Sequence, residues 1–249
     1  DESKNLNADA LITGHYAIRK GGLKQSKLFK AKDKTKDQSY FLFATLQDQL
    51  DYVRFPLGNY LKSEIRKMAD DYNLLVSDKP DSQDICFVTS DSYRDLINNM
   101  QPEINKEGNI FDINGNKIGV HKGIANYTIG QRKGLGIALG DPMYVTEIRS
   151  EENVVVLGPV NELDRNIMRV YKINLQKYDR IPEEGIECLI KIRHHDVGAM
   201  GIVYQEADNS VRVEFAAPVK GVAPGQSSVF LQDGEIIGGG IIQSGDLKK

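Results

Sequence analysis

Between Met168 and Gln243, short apolar runs alternate with turn-forming residues, and this spacing constrains the fold more than any other feature of the chain. The runs are Cys188 to Ile192, Gly201 to Tyr204, Val211 to Phe215, Ser228 to Leu231 and Glu235 to Ile242. Strands this short, recurring at roughly 8–12 residues with turn residues between them, predict a small all-β barrel or sandwich. The texture is already β-like from about Gly108. Turn signals recur at Asn114-Gly115, Gly119, Gly130, Gly134, Gly136 and Gly140-Asp141-Pro142. Tyr144 to Ile148 and Asn153 to Pro159 read as a hairpin.

The N-terminal third reads differently. Ala8 to Tyr16 has the pattern of a short buried strand ending at Gly14. In α/β proteins such a strand delivers the residues after it to the carboxyl edge of a parallel sheet, where ligands bind. A buried parallel strand needs neighbours on both sides, so this segment is expected to be the later part of a larger α/β domain. Gly21-Gly22 splits two elements of a basic hairpin reaching to Lys32. Asp37 is placed to cap a helix that turns Tyr40, Phe41 and Leu46 inward. Leu61, Ile65, Met68, Ala69 and Tyr72 fall on one face of a further helix. Asp81 to Val88 reads as a polar loop entering an apolar segment, and Ser92 to Met100 as a short helix.

Composition narrows the class. The 249 residues are 40% hydrophobic and 27% charged, which excludes a disordered chain and a collagen-like or coiled-coil rod. No apolar run approaches the roughly 18 residues of a membrane helix, and the opening residues do not read as a signal peptide. Two cysteines, Cys86 and Cys188, are too few for a disulfide scaffold or a structural zinc site. They fit a reducing, cytoplasmic setting. The four histidines show no metal-ligand spacing, so no protein-bound metal is expected.

A formal charge of −3 conceals local basic strips. Arg19, Lys20, Lys24, Lys27, Lys30, Lys32, Lys34 and Lys36 crowd one segment with a single acid, Asp33. Lys117, Lys122, Arg132 and Lys133 lie in an acid-free stretch from Ile113 to Gly140. Such strips are either solvated surface or sites for a polyanion, because attraction to phosphates follows the local field. Gly130 to Gly136 has the composition of a phosphate-cradling loop without the context of a P-loop; it reads better as a basic turn against a nucleic-acid backbone.

His15, directly after Gly14, is either a hydrogen-bonded loop residue or a ligand contact. Arg193-His194-His195-Asp196 is a polar cluster suited to phosphate or base contact. Cys86 lies either on a polar loop as a reactive thiol or beside Ile85 and Phe87 as a small buried hydrophobe. Cys188, inside a strand-like run, reads as structural.

Five segments occur in one order: Ile12-Thr13-Gly14-His15-Tyr16, Lys36-Asp37-Gln38-Ser39-Tyr40-Phe41-Leu42, Asp81-Ser82-Gln83-Asp84-Ile85-Cys86-Phe87, Gly130-Gln131-Arg132-Lys133-Gly134-Leu135-Gly136-Ile137 and Pro224-Gly225-Gln226-Ser227. Together they closely resemble the bacterial tRNA-specific 2-thiouridylase family over almost the whole chain. The resemblance implies α/β plus all-β architecture: the end of an adenine-nucleotide-hydrolase-like α/β domain (1–88), a small central tRNA-binding domain (89–163) and a C-terminal β-barrel (164–249). It implies ATP-dependent 2-thiolation of the wobble uridine of tRNA, through an adenylated intermediate and a cysteine persulfide, with release of AMP. Mg2+ is expected with the ATP.

By the same resemblance, Cys86 is the catalytic thiol that receives sulfur from a relay protein. Gly14 contacts the nucleotide, and His15, Lys36, Asp37, Gln38, Arg193, His194 and Gln226 contact tRNA; the family commonly has Tyr where His194 stands. The family's Ser-Gly-Gly-x-Asp-Ser pyrophosphate loop and its first catalytic cysteine have no counterpart in this sequence, which is expected to leave most of an ATP site lacking. The alternative is a non-catalytic tRNA-binding module in which Cys86 is inert.

Overall fold

The computed structural model describes residues 2–22, 24–74, 105–137, 140–207 and 209–243. These fall into two compact units. One is drawn from Asp1–Lys79, Asn166–Ala217 and Pro224–Lys249; the other comes from Pro80–Arg165 and Pro218–Ala223.

The chain opens with α1 (Glu2–Asn5) and β1 (Leu11–Ile12), followed by β2 (Ile18–Lys20), β3 (Lys27–Phe29), α2 (Gln47–Tyr52), β4 (Val53–Arg54) and α3 (Lys62–Asp71). β1 pairs in parallel with β4, Leu11 opposite Val53. The sequence predicted a buried strand here, but Leu11 and Ile12 are 48% and 70% exposed. Among the described residues only β4 flanks β1, so its apolar side chains have no covering layer. The basic hairpin forms as expected, with Arg19 opposite Leu28. The helix expected after Asp37 is a four-residue 3₁₀ turn, Ser39–Leu42. At three residues per turn, neighbouring side chains diverge: Tyr40 is buried while Phe41 is 60% exposed. Leu46, expected to point inward, is also exposed. α3 carries its predicted apolar stripe, but none of its residues is buried.

The second unit contains β5 (Gly108–Asp112), β6 (Lys117–His121), β7 (Tyr144–Arg149) and β8 (Val154–Gly158) in the order β6-β5-β8-β7. β7 and β8 form the predicted hairpin; β5 runs parallel to β8. Ile110, Val145, Val155 and Leu157 are buried in its core with Leu135 from the glycine-rich loop. His121 is buried: its Nδ1 accepts from the Gly123 N–H at 3.1 Å, leaving Nε2–H to donate to the Asn153 carbonyl at 3.1 Å. Both ring nitrogens are spent on local structure.

Six strands close the barrel: β9 (Asp164–Leu175), β10 (Ile186–Lys191), β11 (Ala199–Ala207), β12 (Ser210–Lys220), β13 (Ser227–Gln232) and β14 (Glu235–Ile242). Their order is β13-β10-β11-β12-β9-β14, and β13 pairs back to β14. Closure removes sheet edges. Val211, Val213 and Phe215 alternate inward along β12, as the period of two requires. β13 and β14 join through Asp233-Gly234, both at positive φ (49° and 80°), the pairing a tight hairpin favours. A Cβ on Gly239 would lie 2.5 Å from the Ser228 carbonyl and 2.7 Å from the Phe43 ring. Phe43 belongs to the N-terminal segment, so this glycine lets that segment seat directly on the barrel.

The seating is extensive. β14 also pairs with β3, Ile236 opposite Leu28. Ala17, Leu28, Tyr40, Phe43, Leu50, Val53 and Phe55 share one core with Val229, Leu231 and Ile236. Asn174 and Gln176 on the barrel donate to the Phe43 carbonyl at 2.7 and 3.2 Å. The barrel and the N-terminal segment therefore share a single core.

Candidate nucleic-acid interface

The candidate surface is built around Tyr40. Asp37, just upstream, is buried, and its Oδ1 accepts from the backbone N–H groups of Ala31 (2.9 Å) and Ser39 (3.2 Å). Its Oδ2 accepts from the Ser39 hydroxyl at 3.0 Å. The carboxylate thus brackets the turn between β3 and the 3₁₀ helix; it does not cap that helix as predicted, since the N-cap position is Gln38. Gln38 pairs with Tyr16 twice: its N–H donates to the Tyr16 carbonyl at 2.8 Å and its Oε1 accepts from the Tyr16 N–H at 2.9 Å. This fixes the Gly14-His15-Tyr16 run beside the Lys36-Asp37-Gln38 segment.

Tyr40 bridges to the barrel. Its hydroxyl donates to the Ser227 carbonyl at 2.8 Å, placing Gln226 next to the junction. Burial, with Asp196 adding to it, pushes the Tyr40 phenol up to about 12, so the proton needed for this bond stays in place. The Tyr40 ring lies 5.8 Å from His194, and Lys191 Nζ sits 5.6 Å from the Tyr40 centroid. Lys191 is buried at the end of β10 and donates to the His194 carbonyl at 2.8 Å. Desolvation, with Lys30 nearby, lowers its pKa. Asp196 ties the following turn by accepting from the Ile192 and Gly198 N–H groups at 3.3 and 3.1 Å.

His194 packs on Phe41, with centroids 4.5 Å apart and planes 35° from parallel, and meets the His195 ring tilted by 59° at 4.5 Å. Desolvation, then His195 and Lys191, depress the His194 pKa below the usual imidazole range. The shift favours the uncharged imidazole. Its Nδ1 is shielded from solvent and has no hydrogen-bond partner among the described residues.

Of the predicted residues, Lys36, Asp37, Gln38, Arg193, His194 and Gln226 are brought into one neighbourhood, with Gly14 and His15 joined to it through Tyr16. Gly14 and His15 are exposed. The Thr13 hydroxyl and His15 Nδ1 lie 2.6 Å apart, and the imidazole stands edge-on to Phe55 at 6.3 Å. Cys86 lies outside the described residues. Cys188 is buried, and desolvation pushes its thiol up to about 12.

Sequence reasoning missed Phe41 and Lys191. Phe41 reads as core when a helical period is assumed, and Lys191 is hidden inside an apolar strand. The basic strip is thinner than its sequence suggests. Arg19 is spent on carbonyls, donating from Nε to Leu50 at 2.8 Å and from Nη2 to Asp51 at 3.0 Å. Lys27 and Lys32 pair with Glu235 and Glu64.

In the second unit, the turn from Gly130 to Gly136 exposes Arg132 and Lys133, and Arg132 lines an open cleft of about 470 Å³ with Leu135, Asp141 and Met143. The described residues hold no group of three or more His, Cys, Asp or Glu able to bind a metal. No described helix is long and apolar enough to cross a membrane.

Three family descriptions match the chain in succession: a "tRNA methyl transferase HUP domain" over residues 1–90, a "tRNA methyl transferase PRC-barrel domain" over 95–159 and an "Aminomethyltransferase beta-barrel domain" over 165–242. Among curated relatives, the tRNA-specific 2-thiouridylase MnmA of Wolbachia pipientis wMel is 45% identical over 97% of this chain and 65% of its own length. The protein of that name from Ehrlichia canis is 43% identical over 96% and 65%, and that from Rickettsia massiliae 42% over 96% and 66%. The chain thus spans about 65% of the length of the relatives it matches.

Proposed function

Since the chain belongs to the tRNA-specific 2-thiouridylase family, we propose that it takes part in ATP-dependent 2-thiolation of the wobble uridine of tRNA. In this reading residues 1–88 are the later part of the nucleotide-binding domain, 89–163 the central tRNA-binding domain and 164–249 the barrel. The supporting observation is the convergence on Tyr40 of Lys36 to Gln38, Arg193-His194 and Gln226-Ser227, the last of them 187 positions from Tyr40 in sequence.

Each group has a task. Arg193, exposed on the turn after β10, supplies charge to a phosphate, and Lys36 acts on the same polyanion. Asp37 and Gln38 hold the turn that carries Lys36 and the exposed His15. Gly14, past the carboxyl end of parallel β1, leaves the backbone open to the nucleotide edge of ATP, a substrate with which Mg2+ would travel. ATP converts the uridine oxygen into a leaving group that departs with AMP. Cys86 takes the terminal sulfur of a persulfide on a relay protein, freeing the relay thiol. That sulfur attacks the electrophilic carbon as AMP leaves. A second thiol then attacks Cys86 Sγ, breaking the S–S bond so that sulfur stays on the base and the two thiols end as a disulfide. Neutral pH keeps Cys188 protonated in its strand and so outside this chemistry. The setting is the cytoplasm, where tRNA and reduced thiols coexist.

Two measurements test this. Lys36→Glu with Arg193→Glu should weaken tRNA binding at least tenfold and flatten the slope of log affinity against log salt by about 0.9 for each phosphate no longer neutralised. After incubation with a protein persulfide, labelled sulfur should appear on Cys86 and vanish in Cys86→Ser, while Cys188→Ser retains it. Unchanged tRNA binding in the double variant would sink the interface; sulfur on neither thiol would leave the non-catalytic reading.

A further inference from the structure

Attraction between cations and phosphates leaves Phe41 without a role. Phe41 is 60% exposed, although its neighbours Tyr40 and Phe43 are buried. One side of the ring is held: His194 lies at 4.5 Å, and Tyr40 meets it edge-on at 5.4 Å and 89°. His194 is in turn fixed by His195 and by the Lys191 bond to its carbonyl. Single exposed aromatics are common; what sets Phe41 apart is that its ring is braced on one side by His194 and Tyr40 and 60% exposed beside a cationic turn. Arg193 and His195 are exposed on the adjoining turn, Lys30 is within electrostatic reach of Lys191, and Gln226 lies one residue from the carbonyl that Tyr40 holds. Aromatic faces next to cations are the means by which proteins grip unpaired bases, because every base offers a π-face and a flanking phosphate. A protein partner would meet the same ring, but the cationic turn beside it favours a polyanion.

We propose that the outward face of Phe41, braced by His194, is a stacking platform for one unpaired nucleobase, with Arg193 meeting the phosphate beside it. The inference rests on the tRNA-binding reading and makes it specific: this surface recognises a looped-out or single-stranded nucleotide and not the helical stem. His194 contributes by bracing one side of the Phe41 ring, with centroids 4.5 Å apart. Arg193, by contrast, acts on any phosphate, paired or unpaired.

The test compares the 249-residue chain with its Phe41→Ala and Phe41→Trp variants. Binding is measured by anisotropy to an RNA stem-loop and to a fully paired RNA duplex of equal length. Phe41→Ala should weaken stem-loop binding about 5- to 150-fold, the loss corresponding to about 1–3 kcal/mol per stacked base. Duplex affinity and melting temperature should be unchanged. Phe41→Trp should bind the stem-loop as the parent does. A 2-aminopurine placed in the loop should be quenched on binding to the parent and not to Phe41→Ala. Equal stem-loop affinity in parent and Phe41→Ala, parallel losses on both RNAs, or failure of Phe41→Trp to restore binding would each overturn the platform. If the parent bound neither RNA, the tRNA reading itself would fall.

Discussion

Asp37 shows how one side chain can belong to a binding surface without touching the ligand. The family resemblance assigns it to tRNA, yet it is buried and accepts three hydrogen bonds from Ala31 and Ser39. A carboxylate so engaged is a bracket: it sets the turn from which Lys36 and Phe41 project. Removing it leaves the Ala31 and Ser39 donors unsatisfied, which costs about 1–3 kcal/mol. Asp37→Ala should therefore lower stability in urea denaturation by that amount, with Asp37→Asn losing less, and weaken tRNA binding only through the displaced turn. Intact stability with abolished binding would instead make Asp37 a direct contact. His194 poses the complementary case. The sequence shows a polar residue on a turn, and only the fold reveals a ring packed against both Phe41 and His195. The stacking partner Phe41 is distant in sequence, so no local pattern signals it.

Among the elements, the barrel strands were the most legible. Their period of two and their turns, Asp233-Gly234 above all, are written locally, and the pairs β10–β11, β11–β12 and β13–β14 follow directly in the chain. The hairpins β2–β3 and β7–β8 were readable for the same reason. Legibility failed where structure depends on period or on distant partners. A four-residue 3₁₀ turn imitates a helix start but sends Phe41 outward, and β1 looks buried by composition but is open. Strand β10 supplies a prediction of its own. Cys188 is held protonated by desolvation up to about pH 12, against an ordinary value of 9.0. In the unfolded chain the thiol ionises from about pH 9, so unfolding gains a charged form that folding forbids. Stability should be fully present below pH 9 and fall as pH rises toward 12. Tyr40, raised from 10.0 to about 12, acts in the same direction. Cys188→Ala should therefore flatten this alkaline loss in part, as measured by thermal melting from pH 8 to 11. An unchanged slope would mean that the thiol is accessible in the folded strand.

At the scale of the molecule, the proposed division in sequence order is 1–88, 89–163 and 164–249, and the contacts among the described residues cut across that order. The N-terminal segment up to Lys79 and the barrel form one compact unit, and their shared core is the physical reason. Leu28 is fully buried opposite Ile236 and clusters with Val229 and Leu231. The sequence did not reveal this because each half has a plausible amphipathic pattern alone, and pattern says which face is apolar but not what covers it. If the core is shared, damage to the N-terminal side must loosen the barrel. Truncating a buried leucine removes about 2–5 kcal/mol through lost burial and the cavity left behind. Leu28→Ala should then destabilise both parts together, and the barrel can report on itself through its own thiol. Cys188 is 2% exposed, so a thiol reagent reaches it only when the strands open, and in the fast-closing regime its labelling rate follows the opening equilibrium. Peptide-resolved labelling, which separates Cys188 from Cys86, should show Cys188 modified about 30- to several-thousand-fold faster in Leu28→Ala, the range set by that energy. Leu74→Ala, at a residue 51% exposed, is the control and should leave the rate near that of the parent. If Leu28→Ala left Cys188 as protected as before, the barrel would be an independent folding unit, and the shared core would be adjacency without cooperativity.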